Sequence, residues 1–399
     1  MKAYTVTALF TGLLGHVSAQ LSAPDSASKP LRLWEKKSGA GGQTYADFYP
    51  VGNGRIGAQF NGGPDSESYR VNENSFWSGS FIERTNPDAK ETVKDMQKMV
   101  ANGDYYEAQE AGRLGYAGVY SGHPSKRCEL MITGTSVSTR MYNTLGSFYI
   151  TQTLPSTNTS DYGRWLDIEE SVGGVHFVSD GITFQREVIA SYPDDIIAVH
   201  LKASKAGAIK FRARLDRGAW DVISLNRHVE YSQPANGDSV VMGGSTEDSN
   251  PIEWAAGIRV VAKGGKVKTI GDNVNCEGAD EAILYFQAWT NYRKKNPKKA
   301  VLSDLKSKGN DFEKLRKAHV ADYQRYFKRT SVKFGESTDE QKAMTIPERM
   351  SAVDTGKFDP GLTELIFQLG RYMLISSSRP GEKSLPPGLQ GIWNDVLDP

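Results

Sequence analysis

The sequence is short of cysteine, of paired histidines and of long apolar runs, and each shortage excludes a class of protein. It has only 2 cysteines in 399 residues, which excludes a disulfide-rich scaffold and a four-thiolate zinc site. None of the 6 histidines forms an i, i+4 pair that would turn two imidazoles toward one zinc ion. No run reaches the roughly 18 apolar residues of a membrane span. We expect neither a metal site nor a membrane-spanning segment.

Net charge is also nearly absent. Lys plus Arg number 48 against 47 Asp plus Glu, which leaves a formal charge of +1. Such a chain has no general field that concentrates nucleic acid or anionic lipid, so we expect neither as a partner. The hydrophobic fraction of 38% is that of a globular protein, and the length suits two or three domains of about 150 residues each.

The N-terminus predicts secretion. Lys2 precedes an apolar run over residues 3–14, and Val17, Ser18 and Ala19 provide the small residues of a cleavage site. Residues 1–19 are therefore read as a signal peptide; the alternative is an ordinary structural helix. Asn158 opens the Asn-Thr-Ser glycosylation sequence, which fits a secreted, extracellular glycoprotein. In that compartment Cys128 and Cys276 could form a disulfide, or both could be buried free thiols.

Alternating apolar residues over about 45–292 predict antiparallel strands. The dipeptides Asp180-Gly181, Asn236-Gly237 and Gly264-Gly265 lie between such runs, and each accepts the positive φ of a tight hairpin turn. One helix is expected to interrupt the strands, from the Pro87 region to Gly103. Many short strands without intervening helices indicate a large antiparallel β-sandwich, over residues 30–295.

The pattern changes to a helical period after residue 300. A linker over residues 296–355 contains a helix whose predicted buried face is Phe312, Leu315, His319, Tyr323 and Phe327. Residues 362–375 are apolar around nearly the whole circumference, so this helix needs neighbours on every side. The 24 residues after it offer none, and we expect a truncated chain or a fragmentary gene product. The alternative is that the helix docks on the β domain and completes it.

Two motifs require a decision between a functional and a structural interpretation. Gly52 to Gly57 matches G-x-G-x-x-G, but no buried strand precedes it and no helix can follow, so the glycines are expected to permit close β packing. Asn72, Glu73 and Trp77 combine amide, carboxylate and indole groups, which suit a sugar. A core tryptophan beside a satisfied Asn-Glu turn explains them equally well. The residues alone identify no catalytic group.

Several blocks together resemble the family 95 glycoside hydrolases, the inverting 1,2-α-L-fucosidases. The resemblance covers about residues 33–399. It is carried by residues 49–58, 71–79, 86–89, 142–146, 162–167, 186–195, 319–323, 370–381 and 389–394.

That resemblance implies a β super-sandwich, a helical linker and then an (α/α)6 barrel, of which residues 356–399 would be the beginning. It implies a fucosylated oligosaccharide or glycan as partner, no metal or organic cofactor, and a sugar site to which Asn72, Glu73, Trp77, Trp393 and Asn394 contribute. The family's catalytic residues lie downstream of the 389–394 block, so none can be placed in this chain. Two alternatives stay open: a non-catalytic carbohydrate-binding sandwich, and an enzyme that acts on another sugar such as an α-L-galactoside.

Overall fold

The computed structural model describes residues 29–39, 47–78, 89–115, 142–217, 229–246, 250–381 and 385–394. The predicted signal peptide and Cys128 lie outside these residues. The strands are β1 Arg32–Glu35, β2 Tyr49–Gly52, β3 Ile56–Phe60, β4 Ser66–Glu73, β5 Gly146–Gln152, β6 Thr159–Asp167, β7 Val172–Ser179, β8 Ile182–Ser191, β9 Ile196–Ala203, β10 Ile209–Asp216, β11 Tyr231–Ala235, β12 Ser239–Ser245, β13 Glu253–Lys263, β14 Lys266–Ile270, β15 Asn273–Ala279 and β16 Glu281–Thr290. The helices are α1 Ala89–Asn102, α2 Tyr105–Gly115, α3 Pro297–Ser307, α4 Phe312–Phe327, α5 Asp339–Lys342, α6 Ile346–Asp354 and α7 Pro360–Ser377.

The strands form two antiparallel sheets. Sheet A has nine strands in the order β1-β6-β7-β8-β9-β16-β13-β12-β11, and sheet B has seven in the order β14-β15-β10-β5-β4-β3-β2. The inward-facing side chains of both sheets form the main core. Within sheet B the rings of Tyr69 and Phe148 stack with their centroids 4.4 Å apart. The Phe148 ring centroid is 5.5 Å from that of Phe286 in sheet A. The predicted mainly β sandwich followed by helices is confirmed.

Two of the three predicted hairpins are confirmed, and the third turn connects the two sheets instead. Asp180 and Gly181 both have positive φ and join β7 to β8, and Asn236 and Gly237 do the same between β11 and β12. The turn at Gly264-Gly265 also has positive φ. It leads, however, from β13 in sheet A to β14 in sheet B, because β13 is already paired on both sides.

Helices α3 and α4 cover the outer face of sheet A. Val301 and Leu305 of α3 meet Gly257, where an added Cβ would lie 2.7 Å from Val301. The face predicted for α4 is the buried one: Phe312, Leu315, His319, Tyr323 and Phe327. Tyr323 donates to the carbonyl of Ile168 at 2.7 Å. The first two helices of the linker are therefore packed on the sandwich.

Helix α7 has one docked side and one exposed side. The Tyr372 hydroxyl donates to the carbonyl of Pro50 at 2.5 Å, which joins the helix to β2. On the other side Ile366 is 51% exposed and Leu374 is 64% exposed. One side of the helix therefore docks on the β domain, as the alternative interpretation predicted, while the other side keeps apolar side chains in solvent, as expected for a helix that needs further neighbours.

The inserted helix α1 is followed by a second helix, α2, that the sequence pattern did not predict. Gly103 ends α1 with a φ of 91°, as expected.

Within the part of the chain that the structure describes, no helix has the length and hydropathy of a membrane span.

Candidate functional site

Residues 391–394 lie on the outer face of β2, β3 and β4, while residues 386–390 are exposed. Gly52 and Gly57 leave room for the close approach of α7 and of this segment, because neither residue has a side chain. A Cβ at Gly52 would lie 2.5 Å from the carbonyl oxygen of Ser376, and one at Gly57 would lie 2.8 Å from Ile392. β2 and β3 form a hairpin, with no helix after the motif. The glycines serve close packing, as predicted, and not a dinucleotide.

A reciprocal pair of amides fixes the segment to the sheet. Asn72 Nδ2 donates to the carbonyl of Asn394 at 2.8 Å, and the Asn394 N–H donates back to Asn72 Oδ1 at 3.1 Å. Asn394 Nδ2 also donates to the carbonyl of Tyr142 at 2.6 Å. Both asparagines are fully buried. Their hydrogen-bonding groups are thus taken up by the protein, and the pair sets the register of the segment on β4.

Glu73 lies beside Asn72, in a buried ionic network. Its Oε1 is 2.7 Å from Arg293 Nη1 and 3.5 Å from Arg55 Nη1. Its Oε2 accepts from the backbone N–H and the hydroxyl of Ser75 at 2.8 and 2.5 Å. Arg55 continues the network to Asp195, with Nε 2.7 Å from Oδ1. A carboxylate with this many charged and polar partners is compensated for its burial, and it fixes the turn after β4.

Trp77 lies on that turn. Together with Asn72, Glu73, Trp393 and Asn394 it forms what we call the Trp77 corner, of which it is the most exposed member. Its Nε1 donates to the carbonyl of Asn74 at 3.1 Å, and its ring centroid is 5.4 Å from that of Tyr142. The indole is 38% exposed. The Tyr142 hydroxyl donates to the carbonyl of Ile392 at 3.0 Å. An exposed indole held in one orientation by a neighbouring ring is suited to stacking on an apolar sugar face.

All five residues predicted for a sugar site lie in this one corner. Trp393 is buried, with its Nε1 donating to the carbonyl of Val51 at 3.0 Å, and like Asn72, Glu73 and Asn394 it is bonded to protein groups. Of the five residues, only Trp77 is exposed to solvent. Their contact with a sugar remains a prediction. The sequence analysis missed Arg293, which is 220 residues from Glu73, because nothing in the sequence signals so distant a contact.

An apolar cavity of about 590 Å³ lies behind this corner, between β1, β2, α6 and α7. Trp393 forms part of its wall, and Glu35 is its one carboxyl group among the described residues. Burial raises the pKa of Glu35, and the positive charge of Arg164 opposes that shift. A cavity with walls this apolar suits hydrocarbon or aromatic groups better than a free sugar. The open Trp77 surface is therefore the better candidate for sugar contact.

Cys276 is buried on β15, and burial raises the pKa of its thiol to about 11. A thiol with that pKa is protonated and unreactive at neutral pH. Its possible partner Cys128 lies outside the described residues, so the disulfide stays untested. Asn158 is exposed just before β6, where an attached glycan would extend into solvent.

The fold is a two-sheet sandwich with a packed helical linker and a docked C-terminal segment. Two family models, both of glycosyl hydrolases, match this chain. Residues 33–295 match the model described as glycosyl hydrolase family 65, N-terminal domain. Residues 311–399 match the glycosyl hydrolase family 95 catalytic domain. The chain therefore belongs to the glycosyl hydrolases, with a family 65-type N-terminal domain followed by family 95 catalytic sequence. The family predicted from the sequence blocks is confirmed.

Curated relatives are similar over nearly the whole chain. A protein named "Alpha-L-fucosidase 2" from Arabidopsis thaliana is 31% identical over 93% of this chain and 45% of its own length. Proteins named "Probable alpha-fucosidase A" are 27% identical in Aspergillus niger and 22% identical in Aspergillus oryzae. The chain spans about half the length of these relatives, 45 to 49%.

Among solved structures, a putative kojibiose phosphorylase from human microbiome matches 88% of this chain and 42% of its own. The TM-score is 0.49 and the sequence identity is 11%.

Proposed function

We propose that this chain is part of an α-L-fucosidase that hydrolyses terminal α-1,2-linked fucose with inversion. The match of residues 311–399 to the family 95 catalytic domain carries the proposal, and relatives named as α-fucosidases support it. In an inverting hydrolase one carboxylic acid protonates the leaving oxygen, and a base on the opposite side of the sugar activates water. The described residues contribute the Trp77 corner, which would contact the glycan beside the reaction.

We further propose that the 399 residues alone do not turn over substrate. The apolar side of α7, with Ile366 and Leu374 exposed, supports this, since a helix that belongs to a working barrel has that side covered. The chain's span of about half of its relatives supports it as well.

The test is release of fucose from 2′-fucosyllactose, followed by proton NMR. The purified chain is first shown to be folded by circular dichroism, and the Arabidopsis relative is assayed beside it. We expect no fucose above the blank from the chain. Release of β-L-fucose would contradict catalytic incompleteness but support the inverting reaction, and release of the α-anomer would contradict the proposed mechanism.

A non-catalytic, carbohydrate-binding role is the second candidate, and the exposed Trp77 favours it. Titration of the chain with 2′-fucosyllactose would then saturate, and Trp77→Ala would abolish the binding. Trp34→Ala is the matched control, because Trp34 is a half-buried indole on β1. Equal binding by all three proteins would exclude Trp77 as the contact.

Secretion is also part of the proposal, supported by the sequence of residues 1–19 and by the exposed position of Asn158. Expression in a eukaryotic host should yield the protein in the medium, with a mass that falls on deglycosylation. Asn158→Gln should remove that mass difference. Retention inside the cell without a glycan would contradict this part of the proposal.

A further inference from the structure

The outer face of sheet B is covered at one end and open at the other. Residues 391–394 pack on β2–β4, whereas the outer side chains of β10, β15 and β14 are exposed or half-exposed. Along β10 buried and exposed residues alternate, so every exposed side chain points the same way. The exposed cations on this end form a group that we name the basic face: Lys210, Arg212, Arg214, Lys266 and Lys268.

The strand register makes the basic face a compact grid. Arg212 is opposite Asn275, and Asn275 is opposite Lys268 on the next strand. Neighbouring strands are about 4.8 Å apart, and residues i and i+2 are about 7 Å apart along a strand. Three positions on β10 and two on β14 therefore place five cations within roughly 10 by 14 Å.

The charge of this grid is only partly cancelled. Within the described residues, Arg214 is the one member with a carboxylate in ion-pair range, that of Asp216 at 3.3 Å. Glu277, opposite Lys266 on β15, is the acidic residue inside the grid. The near-zero charge of the whole chain thus conceals a positive surface. A flat, positive sheet face attracts an extended polyanion.

An aromatic ring borders the basic face. Tyr149 of β5 lies opposite Arg214, and the guanidinium carbon of Arg214 is 5.1 Å from its ring centroid. Tyr149 is half-exposed. A ring next to guanidinium groups offers stacking for a sugar ring and bidentate hydrogen bonds for a carboxylate on that ring.

The open part of this face ends at β5. Tyr149 is opposite Ser68 on β4, and the side chains of Ser68, Arg70 and Asn72 on that strand are buried. We propose that the basic face binds an extended anionic polysaccharide with carboxylates on its sugar rings. The choice of a sugar polymer over other polyanions rests on the proposed function and on Tyr149.

The test is gel affinity electrophoresis of the whole chain in the presence of polygalacturonate. The double variant Arg212→Glu/Lys268→Glu should bind at least tenfold more weakly than the wild type. The matched control, Lys314→Glu/Lys317→Glu, changes the net charge equally on the exposed side of α4 and should stay within twofold. Circular dichroism confirms that both variants fold.

Further arms separate the alternatives. Tyr149→Ala should weaken polygalacturonate binding several-fold, and a neutral dextran should not retard the wild type. Equal losses in the control and the double variant, or no loss in either, would overturn the proposal. Retention of duplex DNA or phosphatidylserine vesicles without retention of polygalacturonate would overturn it too. Because the readout is binding and not fucose release, failure here leaves the proposed function standing.

Discussion

At the scale of single residues, buried polar side chains hold the end of β4 in place. Glu73 is fully buried and faces two guanidinium groups, those of Arg55 and Arg293. Removing one partner of a buried ionic group leaves the remaining charges uncompensated, which costs more than the pair itself contributes. Substitution of one member of this network is therefore expected to destabilise the folded protein.

Glu73→Gln should lower the free energy of unfolding by about 3 kcal/mol, because it removes the buried carboxylate that lies 2.7 Å from Arg293 Nη1 and 3.5 Å from Arg55 Nη1. Urea denaturation at pH 7 measures this. The control is Glu91→Gln, which breaks the exposed pair with Lys94 on α1 and should cost less than about 0.5 kcal/mol. Similar small losses in both variants would show that the network does not stabilise the fold.

At the scale of elements, two histidines join the linker to sheet A. His200 of β9 packs on the ring of Phe312 at 4.4 Å, and its Nε2 lies 3.2 Å from Glu281 Oε2. His319 of α4 has its Nε2 2.9 Å from the carbonyl of Ser171. Burial lowers the pKa of each to about 4. Both are therefore neutral in the folded protein at neutral pH.

These values make the linker contact sensitive to acid. The unfolded chain has the ordinary histidine pKa of about 6.5, so it binds more protons than the folded chain between pH 6.5 and 4. The free energy of unfolding must fall as the pH drops through that range. Between pH 7 and 4.5 the wild type should lose about 2 kcal/mol more than His319→Gln, measured by urea denaturation. Equal losses would place the proton uptake elsewhere.

The elements show what a sequence can and cannot predict. Local signals succeeded: Asp180-Gly181 and Asn236-Gly237 need positive φ, and the spacing from Phe312 to Phe327 defines one helical face. The Gly264-Gly265 dipeptide predicted the turn but not the sheet that β14 joins, since strand pairing depends on residues far along the chain. Asn72 and Asn394 are 322 residues apart. Only the family resemblance placed them in one site, and it did not predict the hydrogen bonds between them.

At the scale of the whole molecule, sheet A is covered by the linker and part of sheet B by the C-terminal segment, whereas α6 and α7 keep apolar groups in solvent. Exposed large side chains on or between these helices are Met350, Val353, Phe358, Ile366, Phe367 and Leu374. Patches of this kind promote association.

The purified chain should self-associate as its concentration rises. Ile366→Ser/Leu374→Ser should weaken association by about tenfold, since two exposed apolar side chains are removed. Light scattering after size exclusion measures the mass, and Val100→Ser on α1, at a site 49% exposed, is the control. A wild type that stays monomeric at every concentration would mean that this apolar side is tolerated in water.

The central claim is that the last described segment of the family 95 sequence, residues 391–394, is held on the sandwich by the buried asparagine pair. Hydrogen exchange of the backbone amides in residues 388–394, compared between wild type and Asn72→Ala, tests it most directly. We predict exchange in that segment at least tenfold faster in the variant, with β16 unchanged. Unaltered exchange in residues 388–394 would contradict the claim.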